Sequence, residues 1–419
     1  MGAAARGGAG PVALPETRGV DSLWVLVPTG QRASGEWIDD TLSERVRERG
    51  LLRRTPLVGQ FPRHRVEVVR DADPVAAVNA RFAARGWTDG LPIIPPTVGR
   101  IDEMLGWSHH PRHAALGEVE PLRGLATVEK VAANAVMAGC RPEYFPVVLA
   151  AVEGILDPAF NLRGVQTTDE NVAPLLVVNG PVGRALGINA GAGALGPGWQ
   201  ANATIGRAVR LVMNNLGGGW PGAVSLAGLG QPARYTLCLA ERDDSPWPGL
   251  HRELGFGPEQ STVTVLRSET VINVTGRLAE LASVMGSAVS LFTMLHNGKV
   301  AVVLAPFVAQ RLAREGWSKD DVRRELHERG RLPAETWRHS WLHAAVRGSD
   351  WPAWVRAAAE GDSIPALREP ADITVVVAGA DLEIPQNAYF PSWGHPPCRI
   401  TRAVALPDDW AARLAEPAR

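Results

Sequence analysis

Two periods of apolar residues alternate along this 419-residue chain. In ATVEKVAANAVMAG, Val128, Val131, Ala132, Ala135 and Val136 recur at helical spacing, with Thr127 placed to cap the start and Gly139 to stop the helix. EYFPVVLAAVEGIL predicts a second helix close behind. Its start lies at Pro142 or nearer Glu143, because Pro146 is free of penalty only within a first turn. DPVAAVNARFAARG predicts an earlier helix between an N-cap at Asp73 and a stop at Gly86, and TVGRIDEMLGW predicts another. Between them, WTDGLPIIPPT reads as an extended, rigid connector, since its prolines fix φ and remove backbone donors.

Continuous apolar runs mark strands. APLLVVNG is of strand length and apolar throughout, as in a strand buried on both faces. STVTVLRS, KVAVVLAP and ADITVVVAGA read likewise, and DSLWVLVPTG predicts a short strand that ends in a Pro-Thr-Gly turn. INAGAGALGPGWQANATIGRAVRLVMNNLGGG reads as a glycine-rich loop feeding a helix from about Asn202 to Leu216, and PFVAQRLAREG and SKDDVRRELHERG read as helices. The alternation predicts an α/β fold, with mixed or mostly parallel sheets flanked by helices and a glycine-rich loop region in the centre. The expected organisation is a disordered tail over 1–20, an N-terminal α/β segment over 21–85, a central α/β domain over 86–258 and a C-terminal α/β domain over 259–419. Residues 345–371 read as an excursion before the last of these strands, and no fixed-period repeat is visible.

Composition narrows the function classes. A net charge of −1 supplies no bulk attraction to nucleic acid or acidic membranes, so neither is an expected partner. No apolar run reaches the roughly 18 residues of a membrane span, and the amino terminus has neither an apolar signal core nor, with Arg6, a myristoylation pattern, so a cytoplasmic location is expected. The 44 glycines favour loop-built sites over a helical bundle, and the 14 tryptophans leave room for an aromatic interface in a homo-oligomer. Three widely spaced cysteines, Cys140, Cys238 and Cys398, make neither a disulfide framework nor a zinc ribbon.

The candidate chemistry is scattered. Cys140 falls between two helices, where a helix N-terminus and Arg141 would lower its thiol pKa; the competing reading is a small buried hydrophobe. GAGALG (191–196) matches a dinucleotide fingerprint by letter but does not open directly into a helix, and no particular cofactor is expected from it. At the start of the following helix, Asn202 and Thr204 with Arg207 would hold an anion, Arg210 lying three residues on; a solvated arginine face is the alternative. His109, His110 and His113, and His339 with His343, lack a ligand pattern, and no metal is expected. The closing GADLEIPQNAYFPSWGHPPCRITRAV gathers Asn387, Tyr389, Ser392, Trp393, His395 and Arg402, a ligand-facing loop or an aromatic-packed closing segment. Asp89, held by prolines, is a turn residue first and a general base second.

DGLPIIPPT, ATVEKVAANAVMAGCRPEYFPVVLAAVE, NGPVGRALGINAGAGALGPGWQANATIGRAVRLV and REGWSKDDVRREL together resemble a poorly characterised bacterial family. Its members lie beside, or are fused to, small thiol or selenol proteins of the Sec/Cys-Gly-Ser-Cys type. The resemblance covers roughly residues 86–330. It implies a small thiol or selenol protein as partner and a thiol- or sulfur-related role for Cys140. The opening LWVLVPTG resembles the start of those thiol proteins, yet no Cys-Gly-Ser-Cys comes after it.

The expected function is therefore that of an enzyme, a thiol-dependent oxidoreductase or a lyase forming or cleaving C–S or C–N bonds. It would act on a small anionic organic substrate bearing a carboxylate, with Cys140 as thiolate and His395 or Asp89 as general base. Asn202, Thr204, Arg207, Asn387, Ser392 and Trp393 would bind the substrate. The rival is a ligand-binding, non-catalytic or half-site subunit that works with a separate thiol or selenol protein.

Overall fold

A computed structural model describes residues 22–26 and 66–415; the expected 1–20 tail lies outside them. β1 (Ser22–Leu26) pairs antiparallel with β2 (Val66–Arg70). α1 (Pro74–Arg85) starts where Asp73 accepts a hydrogen bond from the Ala76 amide and stops at Gly86, whose φ of 67° is the left-handed conformation that glycine adopts without penalty. A bend at Gly90 and Leu91 and an irregular stretch over 92–96 lead to α2 (Val98–Leu105).

Beyond α2 the chain passes through two similar but not identical series of elements, the first with additional short helices at Leu162–Thr167 and Leu250–Glu253. β3 (Ala115–Val119) and β4 (Gly124–Thr127) form an antiparallel ribbon. Then come α3 (Val128–Ala138), a 3-10 turn at Pro142–Tyr144, α4 (Phe145–Ile155), β5 (Ala173–Asn179), α5 (Pro181–Ala185), α6 (Gln200–Asn215), β6 (Cys238–Ala240) and β7 (Thr262–Ser268), short helical turns aside. A similar series, opened by one strand in place of a ribbon, follows from β8 (Ile272–Thr275): α7 (Leu278–Met285), a 3-10 turn at Ala288–Ser290, α8 (Leu291–His296), β9 (Val300–Leu304), α9 (Pro306–Arg314) and α10 (Lys319–Arg329). An inserted segment holding β10 (Arg331–Pro333) and β11 (Ser363–Pro365) precedes β12 (Ile373–Val377) and β13 (Gln386–Phe390), and β14 (Ile400–Ala403) closes the sheets.

Two four-stranded mixed sheets result, in the orders β14-β7-β5-β6 and β12-β9-β13-β8. The helical crossovers give parallel pairs, β5 with β6 and β9 with β12, while the remaining neighbours are antiparallel. β7 and β14 belong to the first sheet, although both lie beyond residue 258 in sequence. Alternation along the strands sorts the core into layers. Leu176 and Val178 of β5 face outward onto α3, α4 and α6, while Leu175 and Val177 face inward. Val300, Val302 and Leu304 of β9 face α7 and α10, while Ala301 and Val303 meet the inner face of the first sheet. The result is helices, sheet, sheet, helices. Every residue of β5 is buried, as its unbroken apolar run requires.

Local chemistry sets the ends. Thr127 caps α3 through the Lys130 amide, and Gly139 ends it at φ 89°. Pro142 opens the 3-10 turn and Pro146 falls in the first turn of α4, so both prolines stand where their missing N–H costs nothing. α6 starts at Gln200, two residues before the sequence pattern placed it, with Trp199 in extended conformation at its N-cap.

Candidate functional site

α6 is the element on which the sequence placed an anion site, and its side chains go to different tasks. Asn202, 4% exposed, directs its Nδ2 at the carbonyls of Asn189 (3.0 Å), Ala194 (3.2 Å) and Cys238 (3.1 Å) and accepts the Asn189 amide at 2.7 Å. It locks the 189–194 loop onto β6, leaving its side chain no capacity for substrate. Thr204 bonds back to the Gln200 carbonyl at 2.8 Å. Arg207 grips Asp89 in a two-pronged pair, Nε to Oδ2 at 2.8 Å and Nη2 to Oδ1 at 2.9 Å, and also donates to the Pro92 carbonyl at 2.8 Å. The Asp89 side chain is only 3% exposed. This pair fastens the proline-rich connector to α6, and breaking such a buried pair by removing one partner costs about 3–5 kcal/mol.

Cys140 belongs to the same junction. The residue is half-buried, and its Sγ turns inward to donate to the Thr204 carbonyl at 3.3 Å. Burial pushes the thiol up to about 12, against smaller downward pulls from that hydrogen bond and from Arg207. Arg141, expected to favour the thiolate, instead pairs with Glu143 at 2.6 Å.

The C-terminal residues form a second, separate group. Asn387 accepts the Ala305 amide (3.0 Å) and donates to the Gly276 carbonyl (2.9 Å), tying the end of β9 to the turn after β8. The backbone of Ser392 is clasped by the Thr293 hydroxyl, which donates to its carbonyl at 3.0 Å and accepts its amide at 2.9 Å. His395 is exposed; its ring meets the edge of His296 at a centroid distance of 4.7 Å, and Trp393 lies 5.5 Å from the same imidazole. His296 accepts the Gly394 amide on Nδ1 at 2.9 Å and is pushed down to about 4, first by burial and then by the neighbouring His395 and Arg267. Arg267, 1% exposed, holds the loop by donating to the carbonyls of Gly394 (2.7 Å) and His395 (3.1 Å). Arg402 pairs with Asp157 at 2.6 Å, and the Tyr389 hydroxyl shares a hydrogen bond with Ser290 at 2.8 Å. The fold thus brings Asp89, Cys140, Thr204 and Arg207 together and leaves Asn387, Ser392, Trp393 and His395 at other places. Among the described residues no group of three or more His, Cys, Asp or Glu is placed to hold a metal ion.

Two cavities lie apart from the Cys140 junction. One, of about 180 Å³, opens between the sheets where Gly191–Leu195 meets Leu239, Val303 and Ala388. Its polar side chains are Asn273, Gln386 and Asn387, the last already engaged by backbone groups, and none of its lining residues is titratable. The other is a groove of about 740 Å³ beside the N-terminus of α10, a size suited to an organic ligand. Trp247, Pro248, Leu254 and Pro370 supply apolar wall, and the charged lining is mixed: Lys319, Arg323, Arg324 and Arg399 against Glu253, Asp320 and Glu369. Lys319 is 4% exposed and bonds Glu241 (3.0 Å) and Glu253 (3.1 Å); Arg323 pairs with Glu253 and, at 2.6 Å, with Asp320. Arg399 differs. Among the described residues its one hydrogen bond runs to the Thr374 hydroxyl at 3.4 Å and no carboxylate lies within ion-pair reach; burial, then the charge of Arg323, holds its pKa below the usual guanidinium range, against smaller opposing pulls from the more distant Glu253 and Asp372. The sequence pattern does not single out Lys319, Arg323 or Arg399. The one signal it holds is an arginine between PPC and the alternating ITRAV, a charge at the entry of a strand.

Compared with family models, with curated proteins and with solved structures, the chain matches none.

Proposed function

We propose that the protein binds a small organic anion in the groove beside α10 and presents it to a separate thiol or selenol protein, as one half of a two-protein site. The observation that carries the binding reading is Arg399, a guanidinium without a carboxylate partner lining a groove of about 740 Å³ that also has apolar wall. A carboxylate or phosphate suits it, because a planar guanidinium donates two parallel hydrogen bonds to such a group and gains most where water is scarce. Arg323 is already paired with Glu253 and Asp320, and Asp320 and Asp321 occupy the first turn of α10, so the reading rests on Arg399. The apolar residues would take the organic body of the ligand. The half-site part rests on the thiols: Cys238 and Cys398 are buried, Cys140 turns inward, and none of the three lines either cavity.

The test is thermal unfolding of the purified chain with aromatic and aliphatic carboxylates and phosphate esters, each against its uncharged amide or alcohol. The anions are expected to raise the Tm and their neutral counterparts to leave it unchanged. Arg399→Met, which keeps the stem and removes the charge, should abolish the rise. Equal stabilisation by neutral counterparts, or full retention in Arg399→Met, would sink the anion reading. Turnover of a bound anion by the chain alone would sink the half-site reading and leave binding intact.

A further inference from the structure

One cation on α6 is left over once Arg207 has been assigned to Asp89. Arg210, one turn further along, is 6% exposed. Its Nε donates to the Arg234 carbonyl at 2.7 Å, and its Nη2 is buried with no hydrogen-bond partner among the described residues. The Arg234 guanidinium lies in the same place and has only a hydroxyl, Ser225 Oγ at 2.9 Å, for a partner. Neither arginine has a carboxylate within ion-pair reach among the described residues. Asp89 is the one carboxylate whose charge favours the Arg210 cation, and both its oxygens are committed to Arg207.

The packing that makes this pair is specific. Gly206 lets α6 lie directly on the strand entering β6: a Cβ there would sit 2.3 Å from Thr236 Oγ1 and 2.9 Å from the Leu237 amide. That approach brings Arg210 against the Pro232–Arg234 turn. Pro174, Leu176, Val209 and Leu237 supply apolar wall to the small cavity between the arginines, so the local dielectric is low and two like charges repel strongly across it. Burial, then the charge of Arg234, pushes Arg210 down to about 9, which still leaves it a cation at neutral pH.

We infer that this cavity is an anion site, and that its occupant is a single halide-sized ion held between Arg210 and Arg234. The cavity of about 10 Å³ is at the lower limit for one water-sized sphere; a single halide fits with a small outward shift of the part-buried Arg234 side chain, whereas a whole phosphate, sulfate or carboxylate is too large. A water molecule in the same place would accept the Nη2 hydrogen bond but leave both positive charges uncompensated. A chloride ion accepts the same bond and offsets one of the two charges. The site is separate from the groove beside α10 and does not depend on the reading given to that groove.

The experiment compares thermal unfolding of the full chain in sodium chloride and in sodium gluconate at equal ionic strength, gluconate being too large to enter. In the wild type, Tm is expected to rise by about 1–3 °C per tenfold increase of chloride above its dissociation constant, relative to gluconate. The chloride-minus-gluconate difference should vanish in Arg210→Met and shrink in Arg234→Met, the second variant serving if the first fails to fold. Crystals soaked in sodium bromide should show an anomalous peak at Arg210 Nη2. A chloride-minus-gluconate difference that is the same in the wild type and the variants, or bromide peaks confined to the surface with water between the arginines, would overturn the assignment.

Discussion

A thiol becomes a nucleophile by losing its proton, and two influences of opposite sign act on that proton at Cys140. A helix start and a guanidinium favour the thiolate, while removal from water favours the thiol. In the fold, Arg141 is turned away to Glu143 and Sγ is turned inward to a backbone carbonyl, so desolvation dominates. Cys238 is likewise pushed up to about 12, and Cys398 is raised by burial. Iodoacetamide at pH 7 should therefore leave all three cysteines of the native chain unmodified and label all three after denaturation, as read by peptide mass spectrometry. Labelling of native Cys140 at the rate of a free thiol would contradict this. The residue identities at this junction were legible in the sequence; their pairing was not. Nothing in the spacing of Asp89 and Arg207, separated by more than a hundred residues, indicates that each neutralises the other. Arg210, placed three residues after Arg207 on what could have been a solvated face, is the arginine that lacks a counter-ion.

At the scale of elements, the helices and strands come from local pattern, but the distance at which they pack is set by single residues. Gly154 faces β7 from α4, and a Cβ there would lie 2.6 Å from Val265 Cγ2. Gly154→Ala is expected to destabilise the protein by about 1–3 kcal/mol through overpacking, despite the roughly 1 kcal/mol that alanine gains over glycine in a helix interior. In a double-mutant cycle with Val265→Ala, measured by urea unfolding, the double variant should be less destabilised than the sum of the singles. Strict additivity would mean that α4 and β7 do not meet at this point. Helix starts were readable because caps are local: Asp73 and Thr127 accept amides three residues on. β6, β8, β13 and β14 were not, since each is three to five residues long and becomes a strand only through the partner beside it.

At the scale of the molecule, stability answers to groups whose ionisation differs between the folded and unfolded chain. Glu269 adjoins Glu170 and is raised from near 4.5 to about 8, by burial first and by the neighbouring carboxylate second. A carboxyl raised in this way holds its proton in the folded state after the unfolded chain has released it, so its contribution is full below about 4.5 and is lost as pH rises towards 8. His296 acts in the opposite sense over a lower range. Its folded value of about 4 lies below the ordinary 6.5, so its contribution is present above 6.5 and is lost as pH falls through 6.5 towards 4. The two windows overlap below 6.5 and separate above it. Between pH 6.5 and 8 the free energy of unfolding should fall with rising pH in the wild type and flatten in Glu269→Gln; an unchanged slope in the variant would remove Glu269 as the cause. β14 shows a further molecular-scale dependence: it completes the first sheet from the far end of the chain, pairing with β7 across more than a hundred residues.

By itself the sequence determined the class of the fold, the principal helices with their caps, and the strands that are apolar on both faces, because these depend on periodicity and on hydrogen bonds within a few residues. It also carried every residue of the candidate sites. Only the tertiary structure decided which of those residues are free to act. Asn202, Arg207 and Asn387 are consumed in holding loops and strands together, while Arg399 and Arg210 have no carboxylate partner among the described residues. The reason is physical: whether a charge is satisfied depends on what lies within about 4 Å of it, and in this fold those neighbours come from distant parts of the chain.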